Sequence, residues 1–189
     1  MSKVAIKGAT TGTGVFTLES PATNTDRTLV LPDEAGTIIT TAGVPASAMP
    51  AGSVLQVVQI TSTTTAATAS PTMIATGIGA TITPTSVSSK ILVMIQTSLS
   101  GTTGIGISIA RGETIIWNPM VSDENGFYGA LYNDSVTRAL SNMQYLDSPA
   151  TTSATTYNLY FAARSVTGTI NPNDSTTGGT CIILMEIAG

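Results

Sequence analysis

Ile91-Leu92-Val93-Met94-Ile95 and Cys181-Ile182-Ile183-Leu184-Met185 are the two stretches that decide how this chain folds. Both read as strands, and both are apolar on their two faces. A strand of an antiparallel sandwich ordinarily alternates, with apolar side chains inward and polar ones toward water. Where the alternation is missing, something must cover the outer face. In a sandwich this small, the natural cover is another subunit. The expected interface residues are therefore Ile91, Val93 and Ile95 on the first strand, and Cys181, Ile183, Met185 and Ile187 on the second.

Around these two runs the chain is rich in strand and turn formers. Roughly 18% of its 189 residues are Thr, Val and Ile are frequent, and 18 are Gly, a balance that favours strands over helices. With these two included, strands are predicted at about Ser53–Ser62, Met73–Thr83, Ser89–Ser98, Ile105–Ala110, Thr114–Trp117, Gly126–Leu131, Ser135–Leu146, Thr155–Ala163 and Thr180–Ile187. Gly, Pro, Asn and Asp separate them, as in a sandwich or jelly roll. No strand–helix alternation appears, so a doubly wound nucleotide-binding sheet is not expected.

The first 43 residues read differently. Lys3-Val4-Ala5-Ile6-Lys7, Val15-Phe16-Thr17-Leu18, Arg27-Thr28-Leu29-Val30-Leu31 and Thr37-Ile38-Ile39-Thr40 are short strand candidates divided by turns. The Pro32-Asp33-Glu34-Ala35-Gly36 stretch is a hairpin signal. These pieces carry too few apolar side chains for a core of their own. They are expected to order against copies of themselves or a neighbouring protein, with Leu29, Leu31 and Ile38 as docking residues. Residues 44–52 (VPASAMPAG) read as a linker, and 53–189 as the main domain.

Only 10% of the residues are charged, although mean hydropathy is +0.30. An ordinary domain carries about 25%, so burial between subunits is a natural home for the excess apolar surface. The net charge is −4, and no basic cluster is present to neutralise phosphates, so no nucleic-acid partner is expected. The N-terminal MSKVAIKGATTGTG lacks the apolar segment of a signal peptide, and no apolar run reaches a membrane span. Synthesis in a cytoplasm without membrane insertion is expected. Cys181 is the single cysteine and reads as a small strand residue.

The chemistry-bearing residues point away from catalysis. The chain has no His, which removes the usual base of serine and cysteine triads. A Ser88-Ser89-Lys90 dyad is formally available, but a solvated Lys at a turn is the simpler reading. The carboxylates stand mostly in turns, at Asp33-Glu34, Asp123-Glu124, Asp134 and Asp174, where Asp and Asn bond the local backbone. Neither Asp123-Glu124-Asn125-Gly126 nor Asn171-Pro172-Asn173-Asp174 matches the spaced ligand ladder of a calcium loop. No cofactor, metal or enzymatic activity is expected. Gly101-Thr102-Thr103-Gly104-Ile105-Gly106 precedes a strand rather than a helix, so it reads as a hairpin turn and not a phosphate loop. A second candidate surface is the long segment carrying Trp117, Asn118, Asp123, Asn125, Tyr128 and Tyr132. Aromatic rings beside amides and carboxylates can bind sugars, while Trp117 reads more readily as a core anchor.

The segment Thr25-Asp26-Arg27-Thr28-Leu29-Val30-Leu31-Pro32-Asp33-Glu34-Ala35-Gly36-Thr37-Ile38 resembles a module of tailed-bacteriophage tail fibres and other virion appendages. The larger domain is similar to phage and prophage proteins at Gly52-Ser53-Val54-Leu55-Gln56-Val57-Val58, Ile82-Thr83-Pro84-Thr85-Ser86, Ser89–Val93, Leu146–Thr152 and Met185–Gly189. The resemblance implies a homotrimer with a terminal jelly roll of the tumour-necrosis-factor type. It also implies a virion location, other virion proteins as partners, and a host surface glycan or protein as the target. Two roles fit: a short tail fibre or knob for host attachment, and a head fibre or capsid decoration protein. A shaft under 45 residues extends at most about 150 Å, which gives the second role some weight.

Overall fold

The computed structural model describes residues 48–101, 104–119, 121–123, 126–128, 137–164, 167–171 and 179–189, with isolated positions at 11–15, 22, 24–26, 28 and 44. The chain divides into two compact units, Met1–Ile38 and Ile39–Gly189. The short strands expected before residue 44, and the docking residues Leu29, Leu31 and Ile38, lie outside the described residues.

The second unit is all-β. Among the described residues its strands are β1 (Val54–Ser62), β2 (Ala66–Thr68), β3 (Ile74–Ile82), β4 (Lys90–Gly101), β5 (Ile105–Arg111), β6 (Thr114–Trp117), β7 (Val121–Asp123), β8 (Gly126–Tyr128), β9 (Thr137–Asp147), β10 (Thr155–Ala163), β11 (Gly168–Ile170) and β12 (Thr180–Ile187). The longer strands fall where the sequence places them. The three-residue strands β2, β7 and β11 were not legible, because runs this short have no period to read.

Two antiparallel sheets form the unit. One has the order β1-β12-β4, with β9 on the other edge of β4 and β11-β2 attached near the end of β4 through Ile170 and Leu99. The other has the order β3-β10-β5-β6, and β7 and β8 make a separate hairpin. Between the two sheets lies one core. It takes Ile91, Val93, Ile95, Leu99, Ile182 and Leu184 from the first sheet, and Ile82, Ile107, Ile109, Tyr157, Leu159 and Phe161 from the second.

The expected hairpin at Gly101–Gly104 is corrected by this pairing. β4 and β5 belong to different sheets, so the segment carries the chain across the sandwich. Gly101 serves closeness here: a Cβ on it would stand 2.9 Å from the Ile105 side chain. A true two-residue hairpin joins β5 to β6, with Gly112 at φ +60°, a conformation that favours Gly.

Local irregularities are satisfied by nearby side chains. Opposite the Asn158–Tyr160 step of β10, β3 carries extra residues around Gly77. The buried Thr76 closes this bulge, its hydroxyl donating to the Leu159 carbonyl at 2.8 Å and accepting from the Ile78 N–H at 3.0 Å.

A second knot forms at Asn171, which is buried at φ +48°. Its amide donates to the Ser62 and Thr64 carbonyls at 3.1 and 2.9 Å, and its Oδ1 accepts from Thr180 Oγ1 at 3.1 Å. The Thr65 hydroxyl donates to its carbonyl at 2.9 Å. One side chain thereby ties the chain after β1 to the start of β12. Asn171→Gly is expected to lower unfolding stability by about 2–3 kcal/mol through orphaned partners. Asn171→Ala is expected to lower it by roughly 1 kcal/mol more through left-handed strain. Urea denaturation of the two variants separates these contributions, and equal losses in both would refute the strain component.

Candidate functional site

The outer face of the β1-β12-β4-β9 sheet is the feature that stands apart. Strand pairing lays its side chains in rows. Val57, Met185, Leu92 and Leu146 make an apolar row, and Gln59, Ile183, Met94 and Gln144 a mixed one. Thr61, Cys181, Gln96 and Asn142 make a polar third. None of the twelve is charged. Val57 is 54% exposed and Leu146 47%, while Leu92, Met94, Ile183 and Met185 are half-buried. Farther along β9, Leu140 is 61% exposed. A depression of about 690 Å³ indents the face, lined in part by Met94, Gln96, Asn142, Gln144, Cys181 and Ile183.

Four of the seven expected interface residues are on this face and three are not. Cys181, Ile183, Met185 and Ile187 alternate outward from β12 and are half-buried. Ile91, Val93 and Ile95 are at most 2% exposed and point into the chain's own core, so they are unavailable to another molecule. On β4 the outward residues are Leu92 and Met94. A strand apolar on both faces has no alternation to reveal which set points out. The register settles it, pairing Ile95 with Ile182 and Met94 with Ile183.

The expected receptor segment is only partly described. Trp117 ends β6 and stacks on Tyr145 of β9, with ring centroids 6.1 Å apart and planes 25° apart. Both rings pack against the core, which fits the anchoring reading. Asn118 follows and is exposed. Asp123 and Tyr128 are placed only as backbone within the β7–β8 hairpin, and Asn125 and Tyr132 lie outside the described residues.

Two buried carboxylates brace the sandwich. Asp147, 7% exposed on β9, accepts from Tyr157 Oη at 2.7 Å and from Arg111 Nη1 at 2.9 Å. Its partners belong to the opposite sheet, so the cluster bolts the two layers together. Burial first, and then the hydrogen bond to Asp147, hold the Tyr157 hydroxyl protonated well above the ordinary tyrosine range.

Glu186 on β12 is fully buried. A bulge at Leu55 turns Gln56 inward, where its amide donates to Glu186 Oε2 at 2.6 Å. The Thr85 N–H and hydroxyl each donate to Oε1 at 2.7 Å. Burial alone would raise this carboxyl. The donors Gln56 and Thr85 outweigh it and hold Glu186 below the usual glutamate range. Ser89 is 1% exposed while Lys90 is exposed, so strand alternation separates the two members of the formal dyad. The end of the expected 44–52 linker is also bonded here, since the Gly52 N–H donates to the Ala188 carbonyl at 2.8 Å.

Because the folded-state pKa of Glu186 is depressed, its stabilisation is complete above the unfolded value near 4.5 and is lost as pH falls through the folded value. Glu186→Gln is therefore expected to destabilise the protein at pH 7, where an amide nitrogen or a weaker acceptor faces three donors. The gap to wild type should narrow toward pH 3. Urea midpoints across this range test it, and a gap independent of pH would rule out the carboxylate's role.

Among the described residues no group of three or more His, Cys, Asp or Glu side chains could hold a metal ion. No described helix is long and apolar enough to cross a membrane. No family model matches the chain, and no curated protein matches it either.

Proposed function

We propose that this chain is a non-enzymatic structural subunit of a tailed-phage particle, a homotrimeric knob joined through the outer face of its β1-β12-β4-β9 sheet. The observation that carries the assembly reading is that face: three adjacent rows without a charge, with large apolar side chains left half-exposed. Contiguous apolar surface of this kind marks an interaction site. A jelly roll is supported by the strand order. The chain alternates sheets through β1, β3, β4 and β5, and builds β1-β12-β4-β9 opposite β3-β10-β5-β6. The phage assignment rests on the resemblance carried by Thr25–Ile38 and the motifs of the larger domain. On this reading the N-terminal segment docks on the particle and the knob meets the host surface.

Light scattering at micromolar concentration should return three times the 19.2 kDa chain mass, and a monomeric mass would end the assembly reading. Antibody labelling of intact particles should place the protein on the tail. Label over the shell would assign it instead to head fibres or capsid decoration.

A further inference from the structure

We propose that Glu186 is an acid-releasable latch that opens one end of the sandwich ahead of the rest. The device belongs to the single chain and stands whether or not the chain assembles. Three segments meet at this carboxylate: the end of β12 that carries it, the bulge of β1 through Gln56, and the β3–β4 connection through Thr85. Gln56 Nε2 also donates to the Thr83 carbonyl at 2.7 Å, so both of its hydrogens are used. The strap by which the chain enters β1 is fastened beside it. There the Gly52 N–H donates to the Ala188 carbonyl and the Ala188 N–H to the Ser53 carbonyl, both at 2.8 Å. A cavity of about 310 Å³, lined in part by Met49, Leu55, Thr85, Ser89 and Ala188, shares Thr85 with the latch and is large enough to hold water.

Only donors face the two oxygens of Glu186, and protonation turns one of those oxygens into a donor as well. A proton on Oε2 opposes Gln56, whose amide could turn to accept it only by forfeiting the bond to Thr83. A proton on Oε1 opposes the Thr85 hydroxyl, which yields only by giving up its own bond. Either way the closed site loses a buried hydrogen bond. Opening returns the carboxyl to water and its ordinary value near 4.5, above the value it has when closed. The open form therefore binds the proton more tightly, and falling pH favours it. β1, β3 and residues 83–89 contribute no titratable side chain, and Lys90 is exposed on β4. Farther along the same inward row, beyond Ile91, Asp147 is held by Arg111 and Tyr157. The opposite end of the sandwich is tied by Asn171, Thr97 and Thr180. None of these three titrates in acid, so that end stays closed.

Hydrogen exchange of the full chain at pH 7 and pH 3, with each rate divided by the intrinsic chemical rate at that pH, tests the latch. Protection of peptides covering residues 50–57 and 83–91 should fall about tenfold in acid. Peptides covering residues 60–68 and 168–171 should change by roughly twofold or less. Equal losses at both ends would show that the sandwich opens as one unit and would overturn the proposal. Glu186→Gln should leave the entry end open at pH 7 and flatten its pH response. A response like that of wild type would place the acid sensitivity elsewhere and overturn the latch. If Glu186→Gln does not fold, Thr85→Ala decides. It removes one donor to the carboxylate, so the midpoint of opening should move to higher pH, and an unmoved midpoint overturns the proposal.

Discussion

Ile183→Asp is expected to convert the proposed trimer into folded monomers. Ile183 sits at the middle of the outer face of β12, beside Met94 and Gln59, and is half-buried in the single chain. In the monomer a carboxylate there still reaches water, so the sandwich should survive. In the assembly it would be buried without a partner, at a cost of about 3–5 kcal/mol per subunit. In the proposed threefold arrangement three such charges would meet near one axis and repel. Sedimentation velocity should show the loss of the trimer, and far-UV circular dichroism should show the β signal retained. The neighbouring Ile182→Asp provides the contrast. Ile182 is 0% exposed and faces the other sheet, so that variant should fail to fold. If Ile183→Asp sediments as wild type, the outer face is not the interface.

Asp147→Ala is expected to be the most damaging polar truncation in the sandwich. It removes the acceptor of both Tyr157 Oη and Arg111 Nη1. The Arg111 side chain is 37% exposed and can recover water, so its share is small. Tyr157 is 0% exposed, and its orphaned hydroxyl bears the full desolvation penalty. Together these give a loss of about 2–4 kcal/mol, a fall in Tm on the order of 10 °C for a domain of this size. Tyr157→Phe deletes the donor and leaves Asp147 with Arg111, so it should cost only about 1 kcal/mol. Thermal melts of both variants check the ranking, and a Tyr157→Phe loss equal to that of Asp147→Ala would show that the carboxylate does not bridge the sheets.

What could be read in advance followed the strength of local pattern. β10 and β12 have the limits expected from alternation and flanking turns, and β1, β3 and β6 lie within a residue of theirs. The Gly101–Gly104 connection was misjudged because a glycine-rich turn looks the same whether it returns to its own sheet or crosses to the other. Leu92, Met94, Leu140 and Leu146 were missed as surface residues. Each is an apolar residue in an apolar or mixed strand, and nothing local says which side of the sheet it takes. Glu186 gave no sign of its buried role, since its partners Gln56 and Thr85 are 130 and 101 residues away.

By itself the amino-acid sequence determined the all-β class, because 34 threonines with abundant Val, Ile and Gly leave little from which to build helices. It also showed that two strands carry apolar side chains on both faces, as backbone alternation requires no tertiary information. The pairing of the strands, and with it the face each side chain takes, was decided only in three dimensions. Register is a long-range quantity: a shift of one residue exchanges core for surface along a whole strand. Opposing Ile182 to Ile95 and Leu184 to Val93 sends those four inward, and turns Ile183, Met185, Leu92 and Met94 outward.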